Sequence, residues 1–220
     1  MRARRVCPVV MVNAGDPVGS GFVASLSRPG GDLTGTSAAG EEVLGKQVEL
    51  LRAAVPHLKR MTVLMNSANP TNDFFFRAMA VRAKALDVQL DRVNVAAADE
   101  LDAAIERARG GGLIVLGDAM FATNRVRIVE LVQRFQVPAM YSNARLFIDA
   151  GGLMSYLAPD SWHWRSAAGF VDRILKGAKP ADLPVEQPTQ FELIINLKTA
   201  KALGITIPQS VLLRADEVIQ

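Results

Sequence analysis

Between Arg60 and Tyr141 the apolar pattern changes period again and again, and this alternation restricts the fold more than any other feature of the chain. Met61 to Met65 is a short apolar run rich in β-formers. Phe75, Met79, Ala83 and Leu86 then recur three or four residues apart, as on one face of a helix. Val88, Leu90, Val93 and Val95 alternate with polar residues, with one slip, and Leu101, Ala104, Ile105 and Ala108 return to helical spacing. Leu113 to Leu116 is wholly apolar and is closed by Gly117-Asp118; Ile128, Leu131, Val132 and Phe135 form another helical stripe, and Val137 to Tyr141 another strand. Strands alternating with helices of this length predict parallel, right-handed βαβ units in a doubly wound α/β fold. In such sheets ligands lie beyond the carboxyl ends of the strands.

The flanking segments extend the pattern. Val6 to Asn13 reads as a buried strand ended by Gly15-Asp16-Pro17, with Asp16 placed to cap a helix whose apolar face is Phe22, Val23 and Leu26. Leu33 to Ser37 is a short strand, and Glu41 to Val55 a helix with Leu44, Val48, Leu51 and Val55 on one side. Past Tyr141, residues 143–150 read as helical and Leu153 to Tyr156 as a strand. Trp162 to Lys176 reads as a helix with Trp164, Ala167, Ala168, Val171, Ile174 and Leu175 as its stripe. Phe191 to Asn196 is a further strand, Leu197 to Leu203 a short helix, and the tail through Leu213 an edge strand. This organisation predicts two lobes: residues 1–58 with 154–220 in the first, and 59–153 in the second. The crossings fall near Pro56 to Lys59 and Gly152 to Tyr156, as in proteins that close about a hinge.

Chemistry that needs particular residues is mostly ruled out. One cysteine, Cys7, excludes an internal disulfide and a thiolate-built zinc site. The two histidines, His57 and His163, have no partner at metal-ligand spacing, so no metal and no cofactor is expected. There is no Gly-x-Ser-x-Gly elbow and no phosphate-binding P-loop. Gly110-Gly111-Gly112 precedes a strand, so it is a turn and not a dinucleotide cradle. The net charge of +3, from 25 basic and 22 acidic residues, is spread out apart from Arg2, Arg4 and Arg5, and is not a nucleic-acid footprint. No apolar run has the length of a membrane span, and the first residues lack the apolar core of a signal peptide. A chain starting at Met1 is therefore expected in the cytoplasm.

Polar groups collect instead at strand ends. Asn66, Ser67 and Asn69 follow the strand at 61–65 and precede a helix, where hydroxyl and amide groups beside free helix N–H groups suit an anion, or else cap the helix together with Asn72. Asp118, with Met120 and Phe121 just after it, follows the strand at 113–116. It could pair with a ligand ammonium or cap a helix. Tyr141, with Ser142 and Asn143, ends the next strand, while Asp16, Ser155 and Tyr156 mark the other lobe and the return crossing. Asp16, Asn66, Ser67, Asn69, Asp118, Met120, Phe121, Tyr141, Ser155 and Tyr156 are the expected ligand-binding residues. They describe a cleft for a small polar solute better than a catalytic centre.

Several stretches resemble a known family. They are Gly15-Asp16-Pro17 through Arg28-Pro29-Gly30-Gly31-Asp32 to Gly35, Asn66 to Pro70, and Ala150-Gly151-Gly152-Leu153-Met154-Ser155-Tyr156. To these are added Ile174 to Thr189 without a break, and Phe191 through Gly204 to Ile219. Together they are similar to ABC-transporter substrate-binding proteins of the tryptophan/tyrosine-transport type. The resemblance implies a type I periplasmic-binding fold and a non-catalytic, periplasmic role in capturing amino acids or related small molecules. It also implies an ABC permease as partner. Against that pattern the chain lacks a signal peptide and several βα units of the first lobe, and has Leu157 where a small residue is usual. The first lobe is thus expected to be incomplete, with apolar surface exposed along Val9 to Val12 and a dimer through the open sheet edge as a consequence. Rival readings are a ligand-sensing regulatory module, a small α/β enzyme using Asp118 as acid or base, and a truncated paralogue without function.

Overall fold

The computed structural model describes residues 7–38, 40–142 and 144–220. The expectations for Arg2, Arg4, Arg5, Val6 and Asn143 fall outside these. In chain order the elements are β1 (Val9–Ala14), β2 (Leu33–Ser37), α1 (Glu41–Ala54), β3 (Arg60–Asn66), α2 (Asn72–Ala85) and β4 (Gln89–Val95). Next come α3 (Leu101–Glu106), β5 (Gly112–Val115), α4 (Ala119–Thr123), α5 (Arg125–Arg134), β6 (Ala139–Tyr141), α6 (Ala144–Asp149) and β7 (Met154–Leu157). Last come α7 (Asp160–Leu175), β8 (Glu192–Asn196), α8 (Leu197–Ala202), α9 (Gln209–Leu212) and β9 (Glu217–Ile219). They divide into two units, Glu41–Leu157 with Phe191–Gln220, and Met1–Gly40 with Ala158–Gln190.

The larger unit is built on a seven-stranded sheet in the order β4-β3-β5-β6-β7-β8-β9. Every neighbouring pair is parallel except β7 with β8. The central strands are buried on both faces, which is why Met61 to Met65 and Leu113 to Leu116 read as unbroken apolar runs. Register assigns the faces. Leu64 stands beside Val93 and Val115, and Val115 beside Tyr141, so these four share one face. That face packs with Leu101, Ile105, Phe121, Ile128, Val132 and Phe147 from α3 to α6 in one core. Val63, Ile114 and Met140 point the other way, toward the layer of α1 and α2. Gly112 lies on that second face, where an added Cβ would meet Leu51 of α1 at 3.2 Å. Gly152 is bound by contact as well: a Cβ there would come within 2.7 Å of the Tyr141 ring.

The smaller unit carries a parallel pair, β1 with β2. Its register slips between Met11 and Ala14, where Asn13 takes a positive φ of 55° and its N–H donates to Thr36 Oγ1 at 2.9 Å. The segment from Leu183 to Glu186 runs alongside β2: Thr34 Oγ1 donates to the Leu183 carbonyl at 2.7 Å and the Glu186 N–H to the Gly35 carbonyl at 2.9 Å. Val9 is 46% exposed and Val10 to Val12 are partly buried, so the exposure expected along Val9 to Val12 is found in part and the run is not the buried strand it also reads as.

Three expectations are corrected. The stretch after Pro17 forms turns and no helix, because Gly19 and Gly21 interrupt it and Gly21 sits at a φ of +72°. The buried stripe of α7 is His163, Ala167 and Phe170, one position round from the expected Trp164 and Val171. Finally, the chain divides near residues 40, 157 and 190 and not near 58 and 153. Helix α1 packs on the larger sheet, and β8 and β9 extend it, so residues 41–58 and 191–220 belong with the larger unit.

Candidate ligand site at the switch of the larger sheet

From β3 the chain moves outward to β4, then returns to place β5 on the opposite side of β3. The loops after β3 and β5 therefore leave in opposite directions, and this is the point at which sheets of this kind hold a ligand. Asn66 is the last residue of β3, and Gly117-Asp118 follow β5.

Asp118 is the centre of what the two loops hold. Its Oδ1 accepts from Asn66 Nδ2 at 3.0 Å and from the Met120 N–H at 2.9 Å, the latter as the N-cap of α4. Its Oδ2 accepts from Asn69 Nδ2 at 3.4 Å. The amides that reach it are themselves locked. Asn66 Oδ1 accepts from the Ala68 N–H at 3.0 Å, and Asn69 Oδ1 from Thr71 through both its N–H at 3.1 Å and its hydroxyl at 2.7 Å. Asn72 is buried; its Nδ2 donates to the Asn66 carbonyl at 2.6 Å, while its Oδ1 has no partner. Helix α2 begins here without a side-chain cap. The alternative of Asn69 or Asn72 as its cap is thus not what forms: their side chains serve the loop. The two loops thus hold a fixed carboxylate beside an uncapped helix N-terminus, a pair suited to a small molecule bearing both charges.

The remaining expected residues are placed as follows. Ser67 is exposed and donates to the Val95 carbonyl at 3.3 Å. Met120 is half-buried against the core. Phe121 and Tyr141 are corrections: both side chains lie wholly inside the core, Tyr141 stacked on Phe147 at 4.6 Å, because strand parity and the short α4 turn them under α5 and α6. Burial pushes the Tyr141 hydroxyl far above the usual tyrosine range. Ser155 is likewise enclosed, its Oγ without a partner. Tyr156 is half-buried, 5.9 Å from the Phe191 ring, its hydroxyl pushed up by burial and then by the Asp216 carboxylate. Asp16 lies in the smaller unit and caps a turn, accepting from the Gly19 N–H at 2.8 Å.

Sequence reasoning missed Gln47. It is fully buried on α1, accepts from Ser142 Oγ at 2.8 Å and donates to the Tyr156 carbonyl at 2.8 Å, joining α1 to the ends of β6 and β7. A polar residue inside the stripe Leu44, Val48, Leu51 was the signal for it. Among the described residues no group of three His, Cys, Asp or Glu could hold a metal ion, and no helix is long and apolar enough to cross a membrane.

A family model for ABC transporter substrate binding proteins matches residues 1–219. A tyrosine-binding protein of Clostridioides difficile (strain R20291) is 25% identical over 205 residues, which cover 92% of this chain and 59% of that one. The chain thus spans less than two thirds of the length of this curated relative. A domain from Streptococcus pneumonia solved in complex with L-Trp superposes with a TM-score of 0.89 at 30% identity, covering 96% of this chain and 72% of that one. A conserved domain protein from Vibrio cholerae also gives 0.89, at 24% identity and covering 96% and 71%. The fold is the type I periplasmic-binding fold.

Proposed function

We propose a specific role from one premise: the chain belongs to the ABC transporter substrate-binding protein family. It captures an aromatic amino acid, tyrosine or tryptophan, as the extracytoplasmic solute-binding component of an importer, and passes it to an ABC permease. The observation that carries this reading is the Asp118 carboxylate, held at the sheet switch by Asn66, Asn69 and the Met120 N–H. A carboxylate fixed before the ligand arrives loses little freedom on binding an ammonium, and the charge-assisted bond is about twice as strong as a neutral one. The uncapped N-terminus of α2 supplies N–H donors for the α-carboxylate. The relatives that bind tyrosine and L-Trp support the ligand class.

Titration calorimetry of the purified chain with L-Trp, L-Tyr, L-Ala and indole tests this. The aromatic amino acids give saturable heat, and indole, which lacks both charged groups, gives none. Asp118→Asn weakens binding by about tenfold or more, the loss of one charge-assisted contact. Equal affinity in that variant removes Asp118 from the site, and no heat with any aromatic amino acid defeats the reading.

A further inference from the structure

Helix α7 carries two apolar stripes. His163, Ala167 and Phe170 are turned inward, His163 Nδ1 lying 3.2 Å from Thr36 Oγ1. The second stripe runs along exposed surface: Trp164 at 65% exposure, Ala168 also exposed, Val171 at 45% and Leu175 at 82%. Its spacing is four, three and four residues, the a/d repeat of a two-helix seam, and it lies roughly 100° round the helix from the buried stripe.

The seam is complementary to itself. Laid antiparallel against a second α7, Trp164 faces Leu175, Ala168 faces Val171, and the same layers repeat across the two-fold axis. The small residues fall at the centre, where the backbones must come closest, and the large ones at the ends. The flanking charges agree. Arg165 and Asp172 border the stripe on the same side, and in this register Arg165 of one copy stands within about one half-turn of Asp172 of the other, twice over. Asp172 engages Lys176 through Oδ2 at 2.8 Å, leaving Oδ1 for a second partner. A parallel pairing would set Trp164 against Trp164 and place like charges side by side.

We propose that this stripe is a self-association surface on which a second copy of this chain docks, α7 against α7, antiparallel. The stripe shares no residue with the sheet switch, so it stands whether or not the ligand reading holds. With one helix face per copy the interface is small, and a weak dimer that forms across roughly 10–1,000 µM is expected.

Sedimentation equilibrium of the full chain over that range is the test. The expected result is a monomer–dimer equilibrium abolished by Leu175→Glu, a substitution at an exposed position that leaves circular dichroism and the unfolding midpoint unchanged. Arg165→Asp alone weakens the dimer about tenfold, and Arg165→Asp with Asp172→Arg restores it, which non-specific apolar contact would not do. A chain monomeric throughout overturns the proposal. So does a dimer indifferent to Leu175→Glu, which would assign association to the exposed edge of β1. In a Trp162→Phe background, a monomer whose Trp164 is shielded from acrylamide overturns it too, since something other than a second copy then covers the stripe.

Discussion

Tyr141 ends β6 and Asp118 follows β5 at the same rim of one sheet, yet only the carboxylate joins the loop contacts. Tyr141 shares a face with Val115 and Leu64, so its ring goes down into the core under α6. Polarity drew it into the expected site, and pleat parity took it out. Truncation measures the difference: Tyr141→Ala costs about 3–5 kcal/mol in urea unfolding, whereas Tyr141→Phe leaves both stability and ligand affinity near wild type. A loss of affinity with Phe at unchanged stability would return the hydroxyl to the site. His163 read in the sequence as a surface or packing residue without metal-ligand partners, and the structure buries it. Burial holds it below the ordinary histidine value of 6.5, outweighing the pull of Asp160. The unfolded chain therefore takes up a proton near pH 6.5 that the folded chain takes up only at lower pH, and stability falls as pH drops through this window. Thermal midpoints measured from pH 7 to pH 5 should fall more steeply for wild type than for His163→Gln, and parallel slopes would acquit His163.

Helices α1 and α2 are joined by Glu49. Burial alone would raise its carboxyl, but hydrogen bonds from Lys46 at 2.7 Å and from Arg82 of α2 lower it to about 2. Arg214 adds a third cation at 3.3 Å. A depressed carboxylate contributes stability above its unfolded value, 4.5 here, and that contribution is lost as pH falls from about 4.5 to about 2. Glu49→Gln should therefore lower stability by about 1 kcal/mol at neutral pH and make no difference at pH 2. An equal deficit at both pH values would mean packing and not charge. The elements from β3 to β6 were legible from period, but the tail read as a strand through Leu213 forms helix α9 before strand β9. Orientation was harder. On α7 the bulk of Trp164, Val171 and Leu175 outweighed His163, Ala167 and Phe170 by hydropathy, although the second set is the one inside. After Pro17 a cap and three apolar residues promised a helix that two glycines prevent.

Membership of the two units was the least legible property, for a physical reason. Period tells whether a segment is a strand, but pairing between β7 and β8 links residues some forty positions apart and leaves no local mark. The parallel βα alternation could be reasoned from the sequence, and with it the polar groups Asn66, Asn69 and Asp118 after the strands; the order that puts β3 between β4 and β5 could not. That β8 and β9 complete the larger sheet could not. The consequence is an uneven distribution of stability. The larger unit has seven strands with its central ones buried on both faces. The smaller, among the described residues, has a two-strand pair with Val9 exposed, and such a pair is marginal unless packed by other elements. Here that packing comes from α7 and the Leu183 to Glu186 segment. Native-state hydrogen exchange should then separate the two. Amides of β1 and β2 exchange through local opening about a hundredfold or more faster than those of β3 and β5, whose exchange waits on unfolding of the larger unit. Thr34→Val, which removes the bond to the Leu183 carbonyl, should accelerate exchange in β2 and leave β3 and β5 unchanged. If all four strands instead exchange at one rate and slow or quicken together, the chain unfolds as a single cooperative body and the division seen in its contacts has no thermodynamic counterpart.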